Sequence, residues 1–276
     1  MLVGTSRTFA AAIPLLEEPL ATHITVAYLL LRIADTFEDA ETWPVADRVD
    51  ALTLFENALR TESCPPLTAP PGFDDAHREL LANAPTVFAA LAAFPEDARA
   101  VITKHVMRTS IGMREFLSTK TGDRGLTLST AEELYAYCYV VAGIVGELLT
   151  DLFLLSTPSL ASAESGLRED AAAFGEALQL VNILKDRSQD ASEGRRFIQK
   201  DEDLPSVFER ARADCKRANT YTLLLEKNGA SSGVLSFTRF PLRVAEETLT
   251  ALEQTGSGAK IGRDRVLAIL DEVRRR

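Results

Sequence analysis

Two short stretches of the chain carry acids at intervals that suit cation chemistry. In AYLLLRIADTFED, Tyr28, Arg32, Asp35 and Asp39 follow one another at spacings of four, three and four. In LQLVNILKDRSQD, Gln179, Asn182, Asp186 and Asp190 do so at three, four and four. Successive helical residues turn by about 100°, so each set stays within roughly 60° and forms one polar stripe on an otherwise apolar helix. The two Asp of each stripe stand one turn apart, about 6 Å along the axis, where their oxygens can share a hard cation. Mg²⁺ holds carboxylates on one side and phosphate oxygens on the other, so such stripes would let an acidic protein hold a diphosphate. Arg7, Arg32, Lys185, Arg187, Arg195 and Arg196 are the bases at hand for the remaining phosphate charge, and arginine favours bidentate contact. The plainer alternative is a solvated face, since 40 acids in 276 positions give about six such pairs by chance. Both stripes together carry more weight than either alone, because each runs along a helix whose other faces are apolar.

The elements that must position these residues read as helices. Apolar residues recur at helical spacing along most of the chain, while strand-like alternation is scarce. The pattern predicts an all-α protein with helices near 20–40, 45–61, 75–93, 95–119, 130–157, 166–191, 203–226, 233–254 and 263–275. CPPLTAPPG at 64–72, TGDRG at 121–125, STPS at 156–159 and GSG at 256–258 mark breaks. Ser129 and Thr130 each have a Glu three residues on, a capping-box start for the fifth helix. With no repeats, low-complexity segments or long linkers, residues 1–276 read as a single helical domain.

A net charge of -10 argues against nucleic acid as a partner. Cys64, Cys138 and Cys215 are odd in number and lack metal-ligand spacing, which points away from a disulfide framework and toward a reducing, cytoplasmic setting. The opening MLVGTSRTFAAAIPLLEEPL lacks a cleavage-site pattern and does not read as a signal peptide. No uninterrupted apolar window of membrane-spanning length is evident, so the expectation is a soluble chain with at most peripheral membrane contact. His23, His77 and His105 are isolated and read as surface or capping residues. Trp43 before Pro44 reads as a plug at a helix end, and Cys138 as a small packing hydrophobe.

In order along the chain, SRTF (6–9), AYLLLRIADTFED (27–39), MRTSIGMREFL (107–117), YCYVVAGIVGELLTDLF (137–153) and LQLVNILKDRSQDASEGRRF (178–197) resemble the signatures of the squalene and phytoene synthase family. The match covers residues 6 to about 200, with a fainter echo in FTRFPLRVAEETL (237–249). The resemblance implies an all-α isoprenoid synthase fold around a hydrophobic cavity, with Mg²⁺-bound diphosphates at one end. It would place Asp35, Asp39, Asp186 and Asp190 across the cavity mouth as metal ligands, with Asn182 assisting the second cluster. Glu38 points away from the first stripe and is left out of the metal shell. Asn182 and Gln179 match positions near the second diphosphate and the reacting carbons; Tyr28, Ser6, Arg7, Phe9 and Arg32 match positions lining the first. Lys185 and Arg196 would neutralise phosphate, and Tyr137 matches a tyrosine beside the leaving diphosphate. The implied chemistry leaves a carbocation that water would quench, so the remaining walls should be hydrocarbon and aromatic. Phe9, Ile33, Val141, Ala142, Ile144 and Leu178 are the candidates. Gly143 and Gly146 would admit either the isoprenoid tail or a neighbouring helix.

The implied reaction joins two allylic prenyl diphosphates head to head, followed in squalene synthases by reduction with NADPH. DTFED, GMREFL and GRRF lean to that branch, whereas Arg187 stands where squalene synthases usually have Tyr, and the sequence given ends earlier than most reductive members. Lys260 and Arg263 would suit a nucleotide phosphate, or simply a solvated basic helix. These departures leave open transfer of one prenyl group to an aromatic acceptor. A class I terpene cyclase is a remoter alternative, because DTFED lacks the paired leading Asp of DDxxD. A noncatalytic helical scaffold would have no use for the acid stripes.

Overall fold

The computed structural model describes residues 7–64, 67–122, 125–256 and 258–275, with the side chains of Arg7 and Glu202 outside that description. Ser6 also lies outside it, so the expectations for Ser6 and for the Arg7 side chain fall beyond the described residues. The chain is helical almost throughout, as its periodicity predicts. Its helices are α1 (Arg7–Ala12), α2 (Leu20–Glu38), α3 (Val45–Thr61), α4 (Asp75–Ala82), α5 (Ala84–Ala92) and α6 (Glu96–Lys120). A two-residue hairpin, β1 (Thr121–Gly122) and β2 (Gly125–Leu126), follows. Then come α7 (Ala131–Cys138), α8 (Ile144–Ser156), α9 (Glu164–Ser192), α10 (Leu204–Lys227), α11 (Ser232–Thr255) and α12 (Arg263–Arg274).

Local chemistry accounts for the boundaries. Thr130 caps α7 by accepting a hydrogen bond from Glu133 N at 3.2 Å, and Glu133 Oε2 accepts one from Ser129 N at 2.6 Å. That is the reciprocal arrangement expected from the sequence, shifted by one residue on the return bond. The helix predicted over 75–93 is two helices meeting at Asn83, because Pro85 has no N–H to continue the ladder and its ring opposes it. The helix predicted over 130–157 is interrupted by one wide π-helical turn, Tyr139–Gly143. Such turns are inserted into α-helices at functional sites more often than elsewhere.

The buried apolar residues form one continuous core from Ala12 to Val273. Within it α9 packs against α8, α10 and α11, while α2 packs against α3, α5 and α6. Two glycines allow the tightest crossing. A Cβ on Gly146 of α8 would drive into the Ala171 carbonyl oxygen, and one on Gly175 of α9 into that of Ala142. Gly143 is similarly closed in, with Tyr139 Cδ2 at 2.8 Å from any added Cβ. Of the two roles open to Gly143 and Gly146, close helix packing is the one the backbone displays.

Three expectations need correction. Leu20–Glu38 and the continuous run Ala131–Ser156 are long and apolar enough by composition to cross a membrane. More than half of each is buried inside the fold, which explains the composition. His105 is no surface residue. It is buried, with Nε2 2.7 Å from Asp151 Oδ2 and Nδ1 3.1 Å from Arg108. Ile33 and Ile144 belong to the core rather than to a ligand wall. His77 does serve a helix start, bonding Asp74 at the head of α4, and Trp43 stacks on Phe37 at the end of α2.

Candidate active site

A pocket of about 350 Å³ opens between α2, α8, α9 and the π turn. From α2 it receives Ile24, Tyr28, Leu31, Arg32 and Asp35; from α9 it receives Phe174, Gly175, Leu178, Gln179 and Asn182. Val141 and Ala142 reach it from the π turn, and Phe9 and Phe237 from α1 and α11. Tyr28, Arg32 and Asp35 of the first stripe and Gln179 and Asn182 of the second thus line one cavity, while Asp39, Asp186 and Asp190 lie outside its lining; four of the six expected apolar walls, Phe9, Val141, Ala142 and Leu178, are in place.

Asp35 sits at the polar end, with a third of its side chain reachable by solvent through the opening. Arg32 Nη1 lies 3.3 Å from its Oδ2. Burial pushes the Asp35 carboxyl up to about 6, Asp39 adding to the effect and Arg32 opposing it. On α9, burial likewise pushes Asp190 up to about 6, with Asp186 and Glu193 adding and Arg195 opposing. Lys185 Nζ bonds both Asn182 Oδ1 and Asp186 Oδ2 at 3.1 Å. Between the stripes stands Arg195. Its Nη1 is 3.0 Å from Asp39 Oδ1, its Nη2 is 3.0 Å from Asp190 Oδ1, and Glu41 and Glu193 complete the surround.

Tyr137 is the residue implied to stand beside a leaving diphosphate. It is absent from the pocket lining and buried behind the acidic end of α2, stacked on Phe197 at 5.3 Å and edge-on to Phe116 at 5.3 Å. Beside it, the Glu38 carboxyl is held well above the usual range by burial and by Asp39 and Asp35, with Tyr137 opposing. Arg196 likewise stands apart from the main pocket. Its side chain lines a separate cavity of about 120 Å³ with Arg187, Asp190 and Arg195. Its backbone meanwhile anchors residues 194–199 to β2 through Leu126 O at 2.9 Å.

Residues 2–202 match the family model for squalene/phytoene synthase. The chain belongs to the squalene/phytoene synthase family. It is 32% identical over 200 residues to a squalene synthase of Gibberella zeae, covering 71% of this chain and 41% of that one. It is 32% identical over 195 residues to squalene synthase of Homo sapiens, covering 70% and 43%. The chain therefore spans less than half the length of these curated relatives. Among solved structures, a ligand complex of TcSQS superposes with a TM-score of 0.79 at 23% identity, covering 99% of this chain and 84% of that chain. A dehydrosqualene synthase does so with a TM-score of 0.66 at 19% identity, covering 99% and 93%. At such identities the likeness establishes the all-α isoprenoid synthase fold.

Magnesium, which the family implies, fits the residues present. Among the described residues no three carboxylates, imidazoles or thiols are gathered around one point. Mg²⁺ does not need that, since it commonly takes one or two carboxylates and completes its shell with phosphate oxygens and water. Arg32 Nε, on a residue that lines the pocket, is buried without a hydrogen-bond partner. An unsatisfied donor beside Asp35 suits an anion that arrives with a cation for the carboxylate. Asp35 with Asp39, and Asp186 with Asp190 and Asn182, would hold the metal.

Spacing groups Arg195 with five other bases and does not show that it bridges the stripes, because it lies beyond α9 in an irregular stretch. Helical angle alone turns Glu38 away from the first stripe, and its nearness to Tyr137 spans a sequence distance no periodicity reports. Phe237 and Phe174 carried no signal beyond being apolar.

Proposed function

We propose that this chain is a single-domain, Mg²⁺-dependent prenyltransferase that ionises an allylic prenyl diphosphate and joins it head to head to a second one. The observation that carries the reading is the make-up of one pocket. Hydrocarbon and aromatic walls end at Arg32, Asp35 and Asn182, with a second acid pair and Arg195 immediately beyond. Bound metal would supply Lewis-acid stabilisation of the charge that gathers on the departing diphosphate. The chain's own part is to hold Arg32 and Lys185 toward that charge, and to surround the carbocation with Phe9, Leu178 and Val141 in place of water. Cys64, Cys138 and Cys215 stand as thiols rather than disulfides, which supports work in a reducing cytoplasm.

The test is incubation of the pure protein with Mg²⁺ and farnesyl diphosphate, with and without NADPH, followed by mass spectrometry of the extract. A C30 hydrocarbon or a cyclopropyl C30 diphosphate supports the reading, and NADPH dependence of the product reports a reductive step. Recovery of unchanged substrate with donors of every length would overturn it.

A further inference from the structure

Helix α6 meets the π turn at two heights. Gly112 packs against Val140 so closely that a Cβ there would lie 2.5 Å from Val140 Cγ1. One turn earlier on α6, Arg108 reaches Tyr139, the first residue of the π turn. Its Nη2 donates to the Tyr139 hydroxyl at 2.7 Å, that hydroxyl donates to Glu147 Oε1 at 2.9 Å, and Arg108 Nη1 donates back to Glu147 Oε2. The three side chains close a ring. Tyr139 opens the turn and Glu147 stands four residues past its end at Gly143, so the ring spans the whole turn from outside. Arg108 is itself anchored, since Nη1 also donates to buried His105 Nδ1 at 3.1 Å. His105 in turn meets Asp151, to which Arg168 of α9 donates at 2.6 Å.

The ring has little to do for overall stability, because Arg108 and Glu147 are partly exposed and ion pairs in that setting contribute little. Its effect is local. A π turn is rare within a helix and persists where the surrounding structure holds it. Val141 and Ala142 inside the turn line the pocket together with Val145 and Leu149 just beyond it. Relaxing the turn to regular α-helix would rotate one pair against the other by up to about 100° and open the wall.

We propose that Arg108, Tyr139 and Glu147 are positioning residues whose ring holds the π turn in register, so that Val141 and Ala142 keep water from the reacting carbons. The proposal rests on the reading of the pocket as a prenyl diphosphate site. None of the three residues lines that pocket, so they act through its wall.

The test is turnover of farnesyl diphosphate with Mg²⁺ by the whole chain, separating coupled products from prenyl alcohol, the species formed when water adds to the cation and loses a proton. Tyr139→Phe deletes one hydroxyl and keeps the aromatic ring over Gly143. It and Glu147→Ala should each raise the alcohol share about fivefold while KM for the donor moves less than about twofold. The double variant should be no worse than either single one, because each opens the same ring. Glu147→Gln, which keeps an acceptor for the hydroxyl, should stay near wild type. Amide exchange over residues 139–146 should quicken about tenfold in Tyr139→Phe while α12 is unchanged. An unchanged alcohol share in both single variants, with or without a fall in melting temperature, or unchanged exchange in the turn overturns the proposal and leaves prenyl transfer standing. A wild-type chain inert toward donors of every length overturns both.

Discussion

Arg195 and Asp39, 156 residues apart in sequence, meet at 3.0 Å and tie the end of α2 to the segment that follows α9. The same guanidinium holds Asp190, so one cation neutralises an acid from each stripe. Replacing it leaves acids facing one another in a partly desolvated mouth. Arg195→Gln is expected to lower the metal-free stability by about 2 kcal/mol, read as a lower urea midpoint at constant slope. Mg²⁺ with inorganic diphosphate should restore part of the loss, and an unchanged midpoint would show that the bridge contributes nothing.

The acids themselves should behave in the opposite sense. Burial, with Asp39 adding to it and Arg32 opposing, raises the Asp35 carboxyl to about 6, so its charge costs the fold stability. Asp35→Asn is expected to keep or raise the melting temperature while cutting kcat/KM by about 10²-fold or more. Asp186→Asn should do likewise. Retention of full activity by the double variant would dismiss both residues from the metal site.

His105 predicts a pH dependence. Arg108 donates to its Nδ1, which fixes the ring as a neutral acceptor there while Nε2–H faces Asp151. Burial, the largest influence, lowers its pKa from the ordinary value of 6.5, and Lys104 and Arg108 push the same way against Asp151. The unfolded chain then binds a proton more readily than the folded one, so this contribution is intact above about pH 6.5 and is lost as pH falls through the folded pKa. Thermal melts from pH 7.5 to 5 should show a steeper decline for wild type than for His105→Gln. Parallel curves would remove His105 as the cause.

Gly146 and Gly175 offer the sharpest structural test. Either changed to Ala forces a methyl group into a main-chain carbonyl across the α8–α9 crossing. The cost should reach about 3 kcal/mol, seen as a large fall in melting temperature or loss of soluble protein. A variant as stable as wild type would mean that the helices separate freely there.

Much of this was legible beforehand because it obeys helical periodicity. Tyr28, Arg32 and Asp35 share one helix face and Gln179 and Asn182 another, as spacings of three and four predict, and both faces line one cavity. What escaped is non-local or sub-periodic. The π turn at Tyr139–Gly143 adds a single residue and barely alters the apolar pattern. His105 is buried because Asp151, 46 residues later, receives it. Tyr137 sits beside Glu38 through tertiary packing alone, and the split at Asn83 was signalled by Pro85 yet overridden by the continuous apolar run on either side.

The crossing of Gly146 and Gly175 leaves no room for even a methyl group between α9 and the segments it meets. Both glycines also border the pocket, so a side chain introduced at either would displace the wall itself before it filled any space. Remodelling the site for a bulkier guest, by selection or by design, therefore falls to the flanking side chains, with the crossing serving as a fixed frame.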